Sequence, residues 1–431
     1  MNCDLAHIGI RSKHRVTTMH NTQTSVTGSD RTKPRIPHRL IGLTLLGCLL
    51  SAQAIPTVAG DLERRQAKRI HDRIAGIPPS DAVLNAMELD IINNNPFAAA
   101  QKAMDSSAFY NVTLKNFAAP WTNRDQSVFV PLNDYTATVI GMVRDQTPFN
   151  TVLSADLVYV GASNLGLPAY SMSNNNHYEA LETQGEDLKT ALVATAQSSV
   201  TSLPASATAG VMTTRAASEA FFKAGTNRAM FRFTLMNHLC NDLEQVKDIT
   251  RAPDRIRQDV SRSPGGDSRI FMNSCVGCHS GMDPMAQAFA YYNFDESLGR
   301  LTYNSPGMID PVTGTRVQEK YHINADVFQY GFSTPDDRWD NYWRVGQNAL
   351  LGWNSALPDG GNGAKSLGME LENSEAFAQC QVKKVFKAVC LRSPGDATDR
   401  TQIDLMTASF KANNYNMKQV FADAAVFCMG D

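Results

Sequence analysis

Five consecutive residues constrain this chain more than anything else in it: Cys275-Val276-Gly277-Cys278-His279, a C-x-x-C-H run. Two thiols with a two-residue spacer, followed directly by an imidazole, form the attachment sequence of a c-type haem. The spacer sets the reach of the thiols, which add as thioethers across the two vinyl groups of the porphyrin. The adjacent imidazole is then held under the ring as the proximal iron ligand. The competing readings are a redox dithiol and half of a zinc site. Zinc needs a second cysteine or histidine pair at ligand spacing, and the sequence contains no other C-x-x-C and no H-x-x-x-H. The expectation is one covalent haem c, bound through Cys275, Cys278 and His279.

The N-terminus agrees with that expectation. Arg35, His38 and Arg39 precede an apolar run, Leu40 to Leu50, which ends in Ser51-Ala52-Gln53-Ala54. A basic region, a short hydrophobic stretch and an A-x-A site predict a signal region over 1–54, cleaved after Ala54. The run is shorter than the about 20 apolar residues of a membrane span, so no transmembrane span is expected in the mature chain. The protein is therefore expected in the periplasm or outside the cell, where bacteria attach c-type haem. Met19 is an alternative start, because the polar stretch before Arg35 is long. Leu45-Leu46-Gly47-Cys48 is an alternative lipoprotein box, with the anchor on Cys48.

A formal net charge of −2 over 431 residues, without a basic stripe, gives no footprint for nucleic acid. Cys240, Cys380, Cys390 and Cys428 remain once the haem pair and the signal region are set aside. An even number in an oxidising compartment permits two disulfides. Cys380 and Cys390 fall on one predicted helix, about 15 Å apart along its axis, too far to bond to each other. That leaves Cys390 with Cys428 and Cys240 with Cys380, or the crossed alternative. The first is favoured because it clips the last helix to its neighbour.

The pattern predicts a mainly α protein. Helices are expected over 61–75, from Ser80-Asp81 to about 92, over 97–104 and over 132–144, the last capped near Asn133. Another is expected over 148–160. Residues 198–213 are small and polar, and a soft boundary there separates a helical N-terminal domain, 55–213, from a haem domain, 214–431, with long loops. A helix runs from Thr214 to Cys240, interrupted near Gly225-Thr226-Asn227. Asp283-Pro284 reads as an N-cap followed by proline at the first helical position. Asn373-Ser374 caps a strong helix whose buried stripe is Ala378, Val382, Val385, Phe386 and Val389. Two closing helices cover 403–410 and 417–427.

The run CVGCHSGMDPMAQAFAYYNFDESLGR resembles the haem segment of the planctomycete-type cytochrome-c-like domain proteins. In that family the motif is followed by an Asp-Pro pair, an aromatic-Asp pair and a Gly-x-x-Arg. Here these fall on Asp283-Pro284, Phe294-Asp295 and Gly299 with Arg300. Leu239-Cys240, Phe377-Ala378-Gln379-Cys380 and the segment 151–156 resemble further parts of the family. Gly299 and Arg300 are adjacent rather than spaced, and several residues between Asp310 and Gly363 have no counterpart. The resemblance implies a cytochrome-c-like helical domain, haem binding and electron transfer with an unidentified redox partner protein.

The sixth iron position separates electron transfer from chemistry, because methionine closes the iron and a vacant site admits small ligands. Met369, ahead of the Asn373 cap, matches the usual place of that methionine in small c-type cytochromes. Met308 and His322 are alternatives. Met282 and Met285 lie too close to the motif to cross the ring and read as packing. His71, His177 and His238 read as structural, and Trp339, Trp343 and Trp353 as a local aromatic core. The reading is an electron carrier. The alternatives are a peroxidase-type or oxygenase-type haem enzyme and a haem-bearing module that docks a larger redox partner.

Overall fold

Short polar side chains start the helices where apolar periodicity begins. The computed structural model describes residues 61–223, 226–305, 307–311, 313–322 and 327–430; the expected signal region, with Cys3 and Cys48, lies outside them. Helix α1 (Asp61–Ala75) buries Ala67, Ile70 and Ile74. Helix α2 (Asp81–Ile92) begins where the Ser80 side chain accepts from the amide of Val83. Helix α3 (Pro96–Met104) has Asn95 as cap and proline at the first position, where a missing N–H costs nothing. Helix α4 (Asp134–Arg144) is capped by Asn133 and buried from Asp134 through Val143.

The helix expected over 148–160 does not form. A single 3-10 turn, Phe149–Thr151, is followed by strand β1 (Val158–Gly161). It pairs antiparallel with β2 (Leu192–Thr195). Val158, Tyr159 and Val160 are β-branched or aromatic, and they gain more from a half-buried pleated surface than from a helix. The segment 198–213 also differs from expectation. Ala207, Thr208, Ala209, Val211, Met212 and Thr213 are buried. A Cβ on Gly210 would come within 2.0 Å of the Val152 carbonyl. Small residues here serve close backbone approach, and packing continues across position 213.

The long helix expected from Thr214 is broken as its Gly-Thr-Asn run predicts, into α5 (Arg215–Phe221) and α6 (Arg228–Leu239). Asn227 adopts a left-handed conformation at the break, φ 61°, which asparagine tolerates better than most residues. Helix α7 (Val276–Ala286) carries the C-x-x-C-H run. Two further hairpins follow, β3 (Tyr292–Asp295) with β4 (Arg300–Tyr303) and β5 (Arg338–Asp340) with β6 (Gly360–Asn362). Helices α8 (Gly363–Glu372), α9 (Glu375–Cys390), α10 (Ala397–Ala412) and α11 (Met417–Phe427) close the chain. The stripe expected on α9 is buried as drawn, behind an N-cap at Ser374.

The described residues form a mainly helical fold in one compact unit. Its main core runs from Ala67 to Ala425. Helix α11 packs on α3 and α9, and α6 lies between α7 and α9. Among the described residues no helix is long and apolar enough to cross a membrane.

Both favoured disulfides are present: Cys240–Cys380 and Cys390–Cys428, at sequence separations of 140 and 38. In the chain-entropy model such loops stabilise by about 5 and about 4 kcal/mol. Replacing Cys390 and Cys428 together by serine is expected to lower the unfolding free energy by about 4 kcal/mol in urea titrations. Peptide mapping without reductant should recover the same two pairs; four alkylated thiols would contradict the pairing.

Candidate haem-attachment site

The Asp267 side chain accepts from the Arg269 amide, and a single π-helical turn, Phe271–Cys275, leads into α7 with Cys275 at its N-cap. On a helix of 3.6 residues per turn, positions 275, 278, 279 and 282 share a face. Both cysteine side chains and the imidazole therefore project to one side.

Asp283-Pro284 does not open a new helix. Both residues lie inside α7, and the Asp283 carboxylate is taken by partners distant in sequence. Nδ1 of His279 lies 3.1 and 3.2 Å from the two Asp283 oxygens. Arg228 donates to the same carboxylate from Nε at 2.6 Å and Nη2 at 2.9 Å. Its other edge grips Asp259, Nη1 at 2.7 Å and Nη2 at 2.8 Å. Arg257 adds a contact to Asp259 at 3.1 Å and stacks its guanidinium over the Tyr321 ring at 4.1 Å. Side-chain exposure is 6% for Arg228, 0% for Asp283 and 5% for Asp259, so the charges interact out of water.

Burial alone would raise both carboxylates, but their hydrogen-bonding and charged partners win. Arg228, then His279, hold Asp283 well below the ordinary carboxylate range. Asp259 is lowered to about 2 by Arg228 and Arg257 against its own burial. An ionised Asp283 makes Nδ1 of His279 the protonated nitrogen. Among the described residues no hydrogen bond engages Nε2, which leaves its lone pair for a metal. Sequence reasoning missed Asp283 as a partner, although His279 and Asp283 at i and i+4 meet on any helix through 276–286. Arg228 and Asp259 carried no local signal.

The motif straddles a seam. Cys278 packs with the main core, while Cys275 belongs to a small cluster with Ile256, Val260, Phe271 and Val276. Cys278 is buried, 3.6 Å from the Leu243 carbonyl, and burial pushes its thiol up to about 11. Cys275 is disulfide-bonded. Trp343 is fully buried, and a Cβ on Gly281 would meet its Nε1 at 1.9 Å. Only glycine allows α7 to lie this close to the indole. Trp339 is equally buried and Trp353 donates to the Trp343 carbonyl at 2.9 Å, an aromatic cluster as expected.

Met369 lies within α8 rather than on a loop and is exposed. Met308 is on a loop and exposed, and Met282 and Met285 are buried in the main core. His322 ends the 3-10 turn Glu319–His322, its side chain outside the described residues. His71 and His177 bond backbone groups, at Ile77 and at Gly161 with Pro168; His238 bonds the Tyr135 hydroxyl. The cavities of about 780 and about 550 Å³ are lined by residues away from the motif.

No protein family, curated protein or solved structure matches this chain. The residues present fit a c-type haem in their donor set: two sulfurs and an imidazole on one face, with Nδ1 anchored and Nε2 unengaged.

Asp259 and Asp283 both contribute to the acid stability. Unfolded aspartates titrate near about 3.9, so the unfolded chain binds more protons and stability falls as pH drops from there through the folded values. The Asp259 contribution, about 2 kcal/mol, is complete above about pH 4 and lost towards about pH 2. Asp259→Asn should flatten that part of an acid-unfolding curve. Arg228→Leu strands two buried carboxylates and should cost about 3–5 kcal/mol at neutral pH, measured by denaturant unfolding.

Proposed function

We propose that this chain is an exported c-type haem protein that transfers one electron at a time through a single haem bound to Cys275, Cys278 and His279. The observation that carries the reading is the His279 imidazole: Nδ1 pinned by a buried carboxylate, Nε2 unengaged, on the helix face that bears both thiols. The bound haem supplies a one-electron ferric–ferrous couple. The seam at the motif supports the reading. Cys278 belongs to the main core and Cys275 to the small cluster of Ile256, Val260, Phe271 and Val276, and together with His279 they would hold the group.

Cys275 must be a thiol for attachment, so a dithiol reductant must first open its disulfide by exchange, giving up two electrons and becoming a disulfide itself. Met369 is the proposed sixth ligand, on sequence position alone.

A second reading has its own observation. The carboxylate on Nδ1 of His279 raises the basicity of the imidazole, and an electron-rich proximal ligand suits a peroxide-reducing haem enzyme as well as a carrier. That reading requires an open sixth position.

Expressed with a cytochrome-maturation system, the denatured protein should retain a haem stain, and its mass should exceed the processed chain by one haem. Cys275→Ala with Cys278→Ala should abolish both. A mass equal to the bare chain would sink the proposal. Met369→Ala should remove the far-red sulfur band and open the ferrous protein to carbon monoxide, while Met308→Ala leaves the spectrum unchanged. Ready carbon monoxide binding and peroxide turnover by the unaltered protein would favour the enzyme.

A further inference from the structure

Asp259 and Arg228 touch neither thiol nor imidazole, yet they are built into the support of His279. Arg228 lies between two carboxylates, bidentate to each, with Asp283 on the imidazole side and Asp259 on the other. Alone with Asp283, its full positive charge would offset the negative charge that Asp283 presents to Nδ1. Asp259 counters part of it, and Arg257 in turn counters Asp259 while stacking on Tyr321. The four formal charges sum to zero, so the quartet can remain buried while Asp283 stays ionised.

We infer that Asp259, acting through Arg228, is a remote positioning residue that sets how much of the Asp283 charge reaches His279 and thereby lowers the reduction potential of the iron. The inference rests on the haem reading proposed above. The physical chain is short. A fuller negative charge on Nδ1–H makes the imidazole a stronger donor, and a stronger donor stabilises ferric iron over ferrous. Interaction energies scale inversely with the local dielectric, so at these exposures a charge one residue removed is still felt. The amide of Arg257 also donates to Asp283 at 3.3 Å, and the same loop therefore holds both carboxylates in register.

The test is spectroelectrochemical titration of the haem-loaded, full-length protein. Asp283→Asn should raise the midpoint at least tenfold in the ferric–ferrous equilibrium, about 59 mV for one electron. Asp259→Asn should move it in the same direction by a smaller factor, about threefold or half that voltage. Asp404→Asn, on the exposed side of α10, should leave it unchanged. A purely structural Asp259 would change the unfolding midpoint and not the potential. A haem-loaded Asp259→Asn protein with the potential of Asp404→Asn would overturn the inference while leaving the haem reading intact. If Asp259→Asn does not fold, an unshifted Asp283→Asn overturns it equally, because the proposed route ends on that carboxylate. Absence of haem from the unaltered protein would remove the haem reading and this inference together. In the haem-free protein, the ¹⁵N shifts of His279 provide an independent readout. They should report Nδ1 protonated and Nε2 bare, and Asp283→Asn should erode that preference. An equal mixture of tautomers in the unaltered protein would also overturn the inference.

Discussion

The Arg228–Asp283 ion pair is the contact on which the site depends. Two unit charges this close and this dry attract strongly, but each has lost its hydration, so the pair is stabilising only because Asp259, Arg257 and His279 complete the set. Its larger contribution is specificity. A carboxylate ringed by one guanidinium and one imidazole has few alternative rotamers, and the imidazole it holds has one orientation and one tautomer. Removing a partner leaves a buried charge, so the network is kept whole or lost.

The chain delivers Arg228 to that point through a break. A continuous helix from Thr214 to Cys240 would carry residue 228 past the motif. The first piece ends at Phe221, the left-handed Asn227 stands at the start of the second, and its side-chain amide donates to the carbonyls of Phe289 and Tyr292, both at 2.9 Å. Helix α6 is therefore tied to the chain beyond α7 at its start. At its end Cys240 is bonded to Cys380 on α9. Fixed at both ends and buried along nearly its whole length, α6 is a rigid strut between the motif helix and the C-terminal helices. On the far side of α7, Trp343 fills the space left by Gly281. The face bearing the thiols is thereby turned towards the seam.

Where local chemistry decides structure, the sequence was readable. Asn133 and Ser374 cap the helices they were expected to cap, and Ser80 caps the helix expected to start there, because a side-chain oxygen satisfies amides that have no intrahelical partner. The apolar stripe of α9 and the impossibility of a Cys380–Cys390 bond follow from helix geometry alone. Reading failed where a local signal was outbid. Asp283-Pro284 has the form of a cap, yet a buried arginine 55 positions earlier in sequence claims the carboxylate. Val158 to Gly161 sits in a stretch with helical spacing, yet pairing with Leu192–Thr195 buries it better as a strand. Residues 198–213 have the composition of a linker, yet their small side chains admit the Val152 backbone at Gly210.

The sequence by itself determined that Cys275, Cys278 and His279 are neighbours on one helix face, whatever surrounds them. It also determined the mainly helical class, since periodicity and caps act within a few residues. Only the tertiary structure decided what stands behind the imidazole. Asp283, Arg228, Asp259 and Arg257 come from three separate segments, and no residue among them has a reason to be charged and buried until the others are in place. Pairing of buried charges is a property of the folded interior, where the dielectric is low and water is absent, and a linear pattern carries no record of it.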